Sequence, residues 1–146
     1  MSLLIITYSK FITILNQLNP LLLLGLRLWM AHAFWVSGMV KIDDFENTIA
    51  LFRDEYKTPF LSPELAAIFA TSFELSCPIL LVIGFATRLA TLPLLAMTAV
   101  IQLTYAQNIE HFYWALLLGT ILVSGAGKIS LDYLIARKYN RRKVEY

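Results

Sequence analysis

Long apolar runs separated by short polar joints dominate the pattern of hydrophobic and polar positions along this chain. Four of these runs approach the length of a membrane-spanning helix, which needs about 20 residues. They cover residues 21–40, 63–83, 89–106 and 109–124. The last two lie at or below the short end of that length range. The pattern predicts an all-α fold, a single integral membrane domain in which four spanning helices form a bundle.

The joints between the runs carry local signals for helix ends. Ser62 precedes Pro63, and a capping hydroxyl before a proline is typical of a helix start. Gly84 ends the second run, and only three residues separate it from Arg88. The second and third helices are therefore expected to form a tight antiparallel hairpin. Residues 125–127, Gly-Ala-Gly, end the fourth run.

Three segments lie outside the four runs. In residues 43–56, aromatic and aliphatic side chains recur at helical spacing, which predicts a short amphipathic helix on the membrane surface. Residues 130–146 combine a narrow apolar stripe with a basic run and predict an interfacial tail on anionic lipid. Residues 1–19 are apolar with polar interruptions, so they either lie at the interface or extend the first helix. They have no basic start and no small-residue cleavage site, so no signal peptide is predicted.

Composition supports a membrane protein and narrows its chemistry. The hydrophobic fraction is 58% and the charged fraction 15%, whereas soluble domains average roughly 45–50% and about 25%. Cys77 is the only cysteine, which excludes an internal disulfide, a thiol relay and an all-cysteine metal site. We therefore expect no metal. The expected partners are the lipid bilayer and either another protein or a second copy of the chain, with no nucleic acid.

The distribution of positive charge predicts the orientation. The helices divide the basic residues between two sides of the membrane, and one side carries eight of them. These eight are Lys10, Arg88, Lys128, Arg137, Lys138, Arg141, Arg142 and Lys143. The other side carries Lys41, Arg53 and Lys57. By the positive-inside rule, both termini are expected in the cytoplasm, with the protein in the cytoplasmic (inner) membrane.

Polar residues inside the apolar runs form the candidate site: Arg27, His32, Lys41, Glu74 and Gln102. A charge at this depth costs about 2.5–3.5 kcal/mol or more and normally faces the bundle interior with a partner. Glu74 lies near the middle of its run, so it is expected to be neutral or paired with Arg27, His32 or Lys41. Whether it is ionised stays open.

Pro78 marks the same place. It has no N–H, so the carbonyl of Glu74 loses its helical hydrogen bond and the helix is expected to kink there. Exposed backbone at this depth requires cover from protein or water. The alternative interpretation gives the buried polar residues purely structural roles. Arg27 and Glu74 would form an interhelical pair that sets the packing, while His32 and Gln102 would bond neighbouring helices.

The order and spacing of these residues resemble a known family. Arg27 is followed by Gly38 and Lys41 at the end of the first helix, and Glu74 precedes Gly84 by ten residues. Residues 125–127 and then 130–132, Ser-Leu-Asp, close the fourth helix. The chain from about residue 22 to 132 resembles the DoxX family of small four-helix membrane proteins. The family's closing motif has a proline between its glycines, where this chain has Ala126.

The resemblance implies a membrane subunit linked to redox or quinone chemistry, as for the family member associated with thiosulfate oxidation and quinone reduction. A bundle of this kind would hold a quinone head between its helices, with the buried polar residues as hydrogen-bond or proton partners. The alternative is a non-enzymatic assembly or interaction factor, since distant relatives act as receptors or assembly factors. A small transporter is a third hypothesis, disfavoured because the halves show no repeat. The chain carries no catalytic motif, so whether it is an enzyme stays open.

Overall fold

The chain is described by a computed structural model that covers the backbone of residues 2–57, 61–104 and 108–144, and the side chains of residues 4–57, 61–104 and 108–139. Six α-helices follow one another: α1 (Ser2–Asp43), α2 (Phe45–Leu51), α3 (Pro63–Ile83), α4 (Thr87–Thr104), α5 (Ile109–Ser124) and α6 (Leu131–Val144). A π-helical turn, Phe52–Tyr56, follows α2. No strand occurs in the described ranges, so the predicted all-α fold is confirmed.

Helix α1 is much longer than the first apolar run. It contains 42 residues and continues through Pro20, so of the two expectations for the N-terminal segment the structure shows, from Ser2 onward, an extension of the first helix. At about 1.5 Å per residue it is roughly 63 Å long, about twice the hydrocarbon thickness of a bilayer. Its side chains from residue 4 to residue 19 are exposed.

Helices α3 and α4 form the expected hairpin. The Ser62 side chain accepts a hydrogen bond from the Leu65 backbone N–H, and Pro63 occupies the first helical position. Gly84 ends α3 in the left-handed region at φ 71°, and its N–H donates to the carbonyl of Leu80. By length and composition α1, α3 and α4 can each cross a membrane, and α5 is a shorter apolar helix. The predicted end of the third run, at residue 106, lies outside the described residues.

The bundle interior lies between two helix pairs. Helix α1 packs mainly on α3, and α4 packs mainly on α5. The main core contains nine buried side chains: Met30, Ala31, Phe34, Cys77, Leu81, Ala90, Leu94, Leu118 and Ile121. Cys77 thus packs as a small core residue. Many large apolar side chains remain exposed on the outer helix faces, as lipid contact requires.

The segment at residues 43–56, predicted as one amphipathic helix, consists of α2 followed by the π-helical turn. The helix is interrupted at Asp44. The Asp44 carboxylate accepts a hydrogen bond from the Asn47 N–H and caps α2. Phe52 and Tyr56 are buried in a second core cluster with alanines of α3. The apolar stripe therefore packs against the bundle, because the break turns the segment back over α3 and α4.

At the other end, Asp132 ties α6 to the α3–α4 turn. Its carboxylate accepts hydrogen bonds from the backbone N–H groups of Ala86 (2.8 Å) and Thr87 (3.0 Å) and so caps the start of α4. Its own N–H donates to the carbonyl of Gly84 at 2.9 Å. We call this arrangement the Asp132 junction. The last two residues of the predicted tail, and its side chains from residue 140, lie outside the described residues.

Candidate functional site

A buried ion pair between α1 and α3 is the centre of the candidate site. The Lys41 ammonium lies 2.8 Å from Glu74 Oε2 and 3.0 Å from Oε1, so it holds both carboxylate oxygens. The side chains are 10% and 2% exposed, respectively. Among the three partners considered for Glu74, the structure therefore selects Lys41.

Local sequence explains why the two charges meet. Gly38 lies against α3: a Cβ atom there would be 2.9 Å from Leu75 Cδ2 and 3.0 Å from Glu74 Cβ. A Cβ at such distances would force the Leu75 side chain or the helices to shift, so the glycine permits α1 and α3 to approach closely. Lys41 lies about one turn further along α1 and reaches back to Glu74. Ser37, four residues before Lys41, accepts a hydrogen bond from its ammonium at 2.7 Å.

An apolar cavity of about 200 Å³ adjoins the pair. It lies between α3 and α4, and the π-helical turn closes one end of it. Its lining consists of the pair and twelve other residues: Phe52, Tyr56, Leu61, Ala66, Phe69, Ala70, Phe73, Pro93, Ala96, Met97, Val100 and Ile101. Exposed lining residues on both helices, such as Phe73 and Ala96, place an opening on the outer face of the bundle. An apolar cavity of about 150 Å³ holds one benzene, so this one accommodates a single six-membered ring.

Arg27 lies elsewhere and does not pair with Glu74. It is 14 residues before Lys41 on the same helix, which separates the two by about 21 Å. Its side chain is fully buried, and Nη2 donates to the backbone carbonyl of Ile129. Gly84 leaves room for the guanidinium, since a Cβ there would overlap Arg27 Nη1. Electrostatic attraction comes from Asp132. Arg27 therefore belongs to the Asp132 junction.

His32 and Gln102 also lie apart from the ion pair. His32 is exposed on the outer face of α1 and α3, in a shallow groove with Trp35 and Pro78. Gln102 is half-buried near the end of α4, and its Oε1 lies 2.9 Å from Nδ1 of His111 on α5. Gln102 thus bonds a neighbouring helix. Of the five sequence candidates, only Lys41 and Glu74 come together.

Some site residues were missed at the level of sequence. Ser37 is spaced four residues from Lys41, and that spacing on one helix was a usable signal. The small cavity-lining residues Ala66, Ala70 and Ala96 carried no such signal. Their effect depends on how far apart α3 and α4 lie, which no local pattern encodes.

The arrangement has specific chemical capabilities. A carboxylate held by an ammonium inside an apolar wall can accept a hydrogen bond or a proton from a ring in the cavity. Within the described residues no three His, Cys, Asp or Glu side chains come together as a metal site. The cavity suits an uncharged, largely apolar ring with one polar substituent.

Comparisons with known proteins agree with this architecture. The DoxX family model matches residues 22–107, which include both members of the ion pair. An uncharacterized protein of Haemophilus influenzae is 31% identical over 129 residues, covering 80% of this chain and 85% of that protein. No solved structure shows a significant match. The family match extends over more than half of the chain, and the chain belongs to the DoxX family.

Proposed function

We propose that this protein is the membrane subunit of a redox complex and that its cavity binds the ring of a quinone–quinol couple. The observation that carries this proposal is the Lys41–Glu74 pair in the wall of an apolar, aromatic-lined cavity. The ring fits the volume, and Phe69 and Phe73 supply aromatic surface for it. The opening between α3 and α4 faces the side where lipid lies, which is how a lipid-soluble ring would arrive.

The chain's own part in such chemistry is binding and proton handling. Interconversion of a quinone and its quinol moves two electrons and two protons. Cys77 is a lone buried thiol, so a redox centre in a partner protein would exchange the electrons. Glu74 is the residue placed to exchange a proton with the ring hydroxyl, and Lys41 holds the carboxylate in position.

The proposed location is the cytoplasmic membrane with both termini inside. The excess of Lys and Arg on the side of the Asp132 junction supports this orientation. A phosphatase fused to the C-terminus should be inactive and a fluorescent protein fused there should be bright. An active phosphatase would reverse the orientation.

Retention of quinone during gentle purification from native membranes tests the proposed function. Ala70 is buried and lines the cavity, so Ala70→Leu should fill part of it and lower the quinone retained per protein at least tenfold. Ala99→Leu is the matched control, since Ala99 is exposed on α4 and does not line the cavity. Mass spectrometry of the same preparation should identify a stoichiometric redox protein. Equal quinone in both variants, or none in the wild type, would refute the proposal.

An assembly or interaction factor is the second candidate, because a different observation favours it. The first half of α1 is apolar and exposed over about four turns, including Leu4, Tyr8, Phe11 and Leu15. Such a helix suits contact with another membrane protein. If this role holds, deleting the protein should deplete one non-redox membrane protein, and Ala70→Leu should restore it fully. Unchanged amounts of every non-redox membrane protein in the deletion strain would count against this second candidate.

A further inference from the structure

The Lys41 ammonium, the charged hydrogen-bond donor in the cavity wall, already has acceptors. The Lys41 ammonium has three protons and no acceptor. It has three acceptors within 3.0 Å: Ser37 Oγ and the two Glu74 carboxylate oxygens. Each proton therefore has its own acceptor, and none is left for a ligand.

Tyr56 is the other side chain in the lining with a strong donor. It packs edge-on against Phe52 at a ring distance of 4.9 Å, and it is engaged in a further interaction of its own. The remaining lining side chains are hydrocarbon or thioether groups, which donate no hydrogen bond. A ligand carbonyl in this cavity would thus meet two side chains, Lys41 and Tyr56, that already have interactions of their own.

Acceptor capacity, in contrast, remains open. An ionised carboxylate has about four lone-pair sites, and Lys41 occupies two of those on Glu74. A contact with the Ser37 hydroxyl occupies one more at most. By this count at least one lone-pair site on Glu74 has no partner, and Glu74 is among the residues that line the cavity.

From this imbalance we propose that the cavity selects the reduced, hydroxyl-bearing member of the couple: a quinol O–H donates to Glu74, whereas a quinone carbonyl would have to displace an existing interaction of Lys41 or Tyr56. This inference rests on the proposed function and names the form of the ligand that the same site prefers. A hydrogen bond to a charged acceptor corresponds to about tenfold in affinity or more. The quinol is therefore expected to bind at least tenfold more tightly than the quinone with the same ring.

Selective binding of the reduced form also has a redox consequence. Because the quinol is stabilised relative to the quinone, the bound couple becomes easier to reduce. Each tenfold preference raises the two-electron midpoint potential of the bound couple by about 30 mV. The site would therefore retain quinol and oppose its oxidation until the partner's redox centre takes up the electrons.

The test is equilibrium binding of decylubiquinone and of decylubiquinol to the full chain in lipid nanodiscs, measured anaerobically against empty nanodiscs. Tighter binding of the quinol by tenfold or more would support the inference. Equal or tighter binding of the quinone would overturn it while the proposed function stands. Binding of neither form would overturn both.

Two variants test whether Glu74 is responsible for the preference for quinol over quinone. Glu74→Gln introduces a side-chain N–H donor, so the quinol preference should fall to about twofold or less. Glu64→Gln makes the same change at an exposed carboxylate of α3 that does not line the cavity, and should leave the preference at tenfold or more. A tenfold preference that survives Glu74→Gln would overturn the assignment to Glu74. The comparison of the two ligands on the wild type remains decisive if Glu74→Gln does not fold.

Discussion

Removal of one partner from the Lys41–Glu74 pair should destabilise the fold far more than removal of both. The perturbations are Lys41→Met, Glu74→Leu and the double variant that carries both changes. Each replacement keeps a side chain of similar size and removes a charge. The pair is buried between α1 and α3, so neither residue can regain water without separating the helices.

The magnitude follows from the geometry. Two unit charges 2.8 Å apart attract by about 6 kcal/mol at an effective dielectric constant near 20. Desolvation costs several kcal/mol for each ion, so the intact pair contributes little net stability. A single change removes the attraction and leaves the other ion desolvated, which should cost about 3–5 kcal/mol. The double variant should lie within about 1–2 kcal/mol of the wild type, since apolar replacements of buried pairs are often neutral.

Unfolding by SDS titration in mixed micelles, followed by circular dichroism, would measure all four proteins. The double-mutant cycle should give a coupling free energy of about 3 kcal/mol or more. Single variants that each cost under about 1 kcal/mol, with additive effects in the double variant, would show that the charges are not paired in the folded bundle. That result would also remove the basis for placing Glu74 in the cavity wall.

Three further predictions concern the packing of the bundle and use the same unfolding assay. Gly84→Ala should lower the free energy of unfolding by about 2–4 kcal/mol, since φ at this position is 71° and the new Cβ would overlap the Arg27 guanidinium. A loss under about 1 kcal/mol would mean that Arg27 lies elsewhere. Gly25→Ala is the matched control, with no atom within 4 Å of its new Cβ, and should be neutral or stabilising by up to about 1 kcal/mol. Asp132→Asn should lower the free energy of unfolding by about 1–2 kcal/mol, because it weakens the charged cap on the first turn of α4. Unchanged stability would contradict the hydrogen bonds of the Asp132 junction. Gly38→Leu should weaken the contact between α1 and α3 and lower stability by about 1–3 kcal/mol, and an unaffected protein would refute the close approach.

Local sequence signals were sufficient to predict the helices and several of the residues at which they begin or end. Ser62 and Pro63 predicted the start of α3, and Gly84 its end, because caps and left-handed turns depend on a few neighbouring residues. The start of a separate helix near Asp44 was expected, since the first apolar run ends at residue 40 and the next predicted helix begins at residue 43. The change to a π-helical turn at Phe52 was not anticipated. The regular apolar stripe suggested one uninterrupted helix, and the burial of Phe52 and Tyr56 became visible only once α3 was in place.

The sequence by itself determined that this chain is an apolar helical bundle with charges at membrane depth that need partners. The hydropathy of the runs and the free-energy cost of burying a charge are enough for that conclusion. Only the tertiary structure decided which charges meet. Arg27 and Lys41 were both candidates for Glu74, and the choice depends on how far α1 slides along α3. Gly38 permits close contact with α3 beside Glu74, where Lys41 forms the ion pair, and Arg27 lies at the Asp132 junction. The cavity has the same origin, since its volume arises from the separation of α3 and α4 rather than from any one residue.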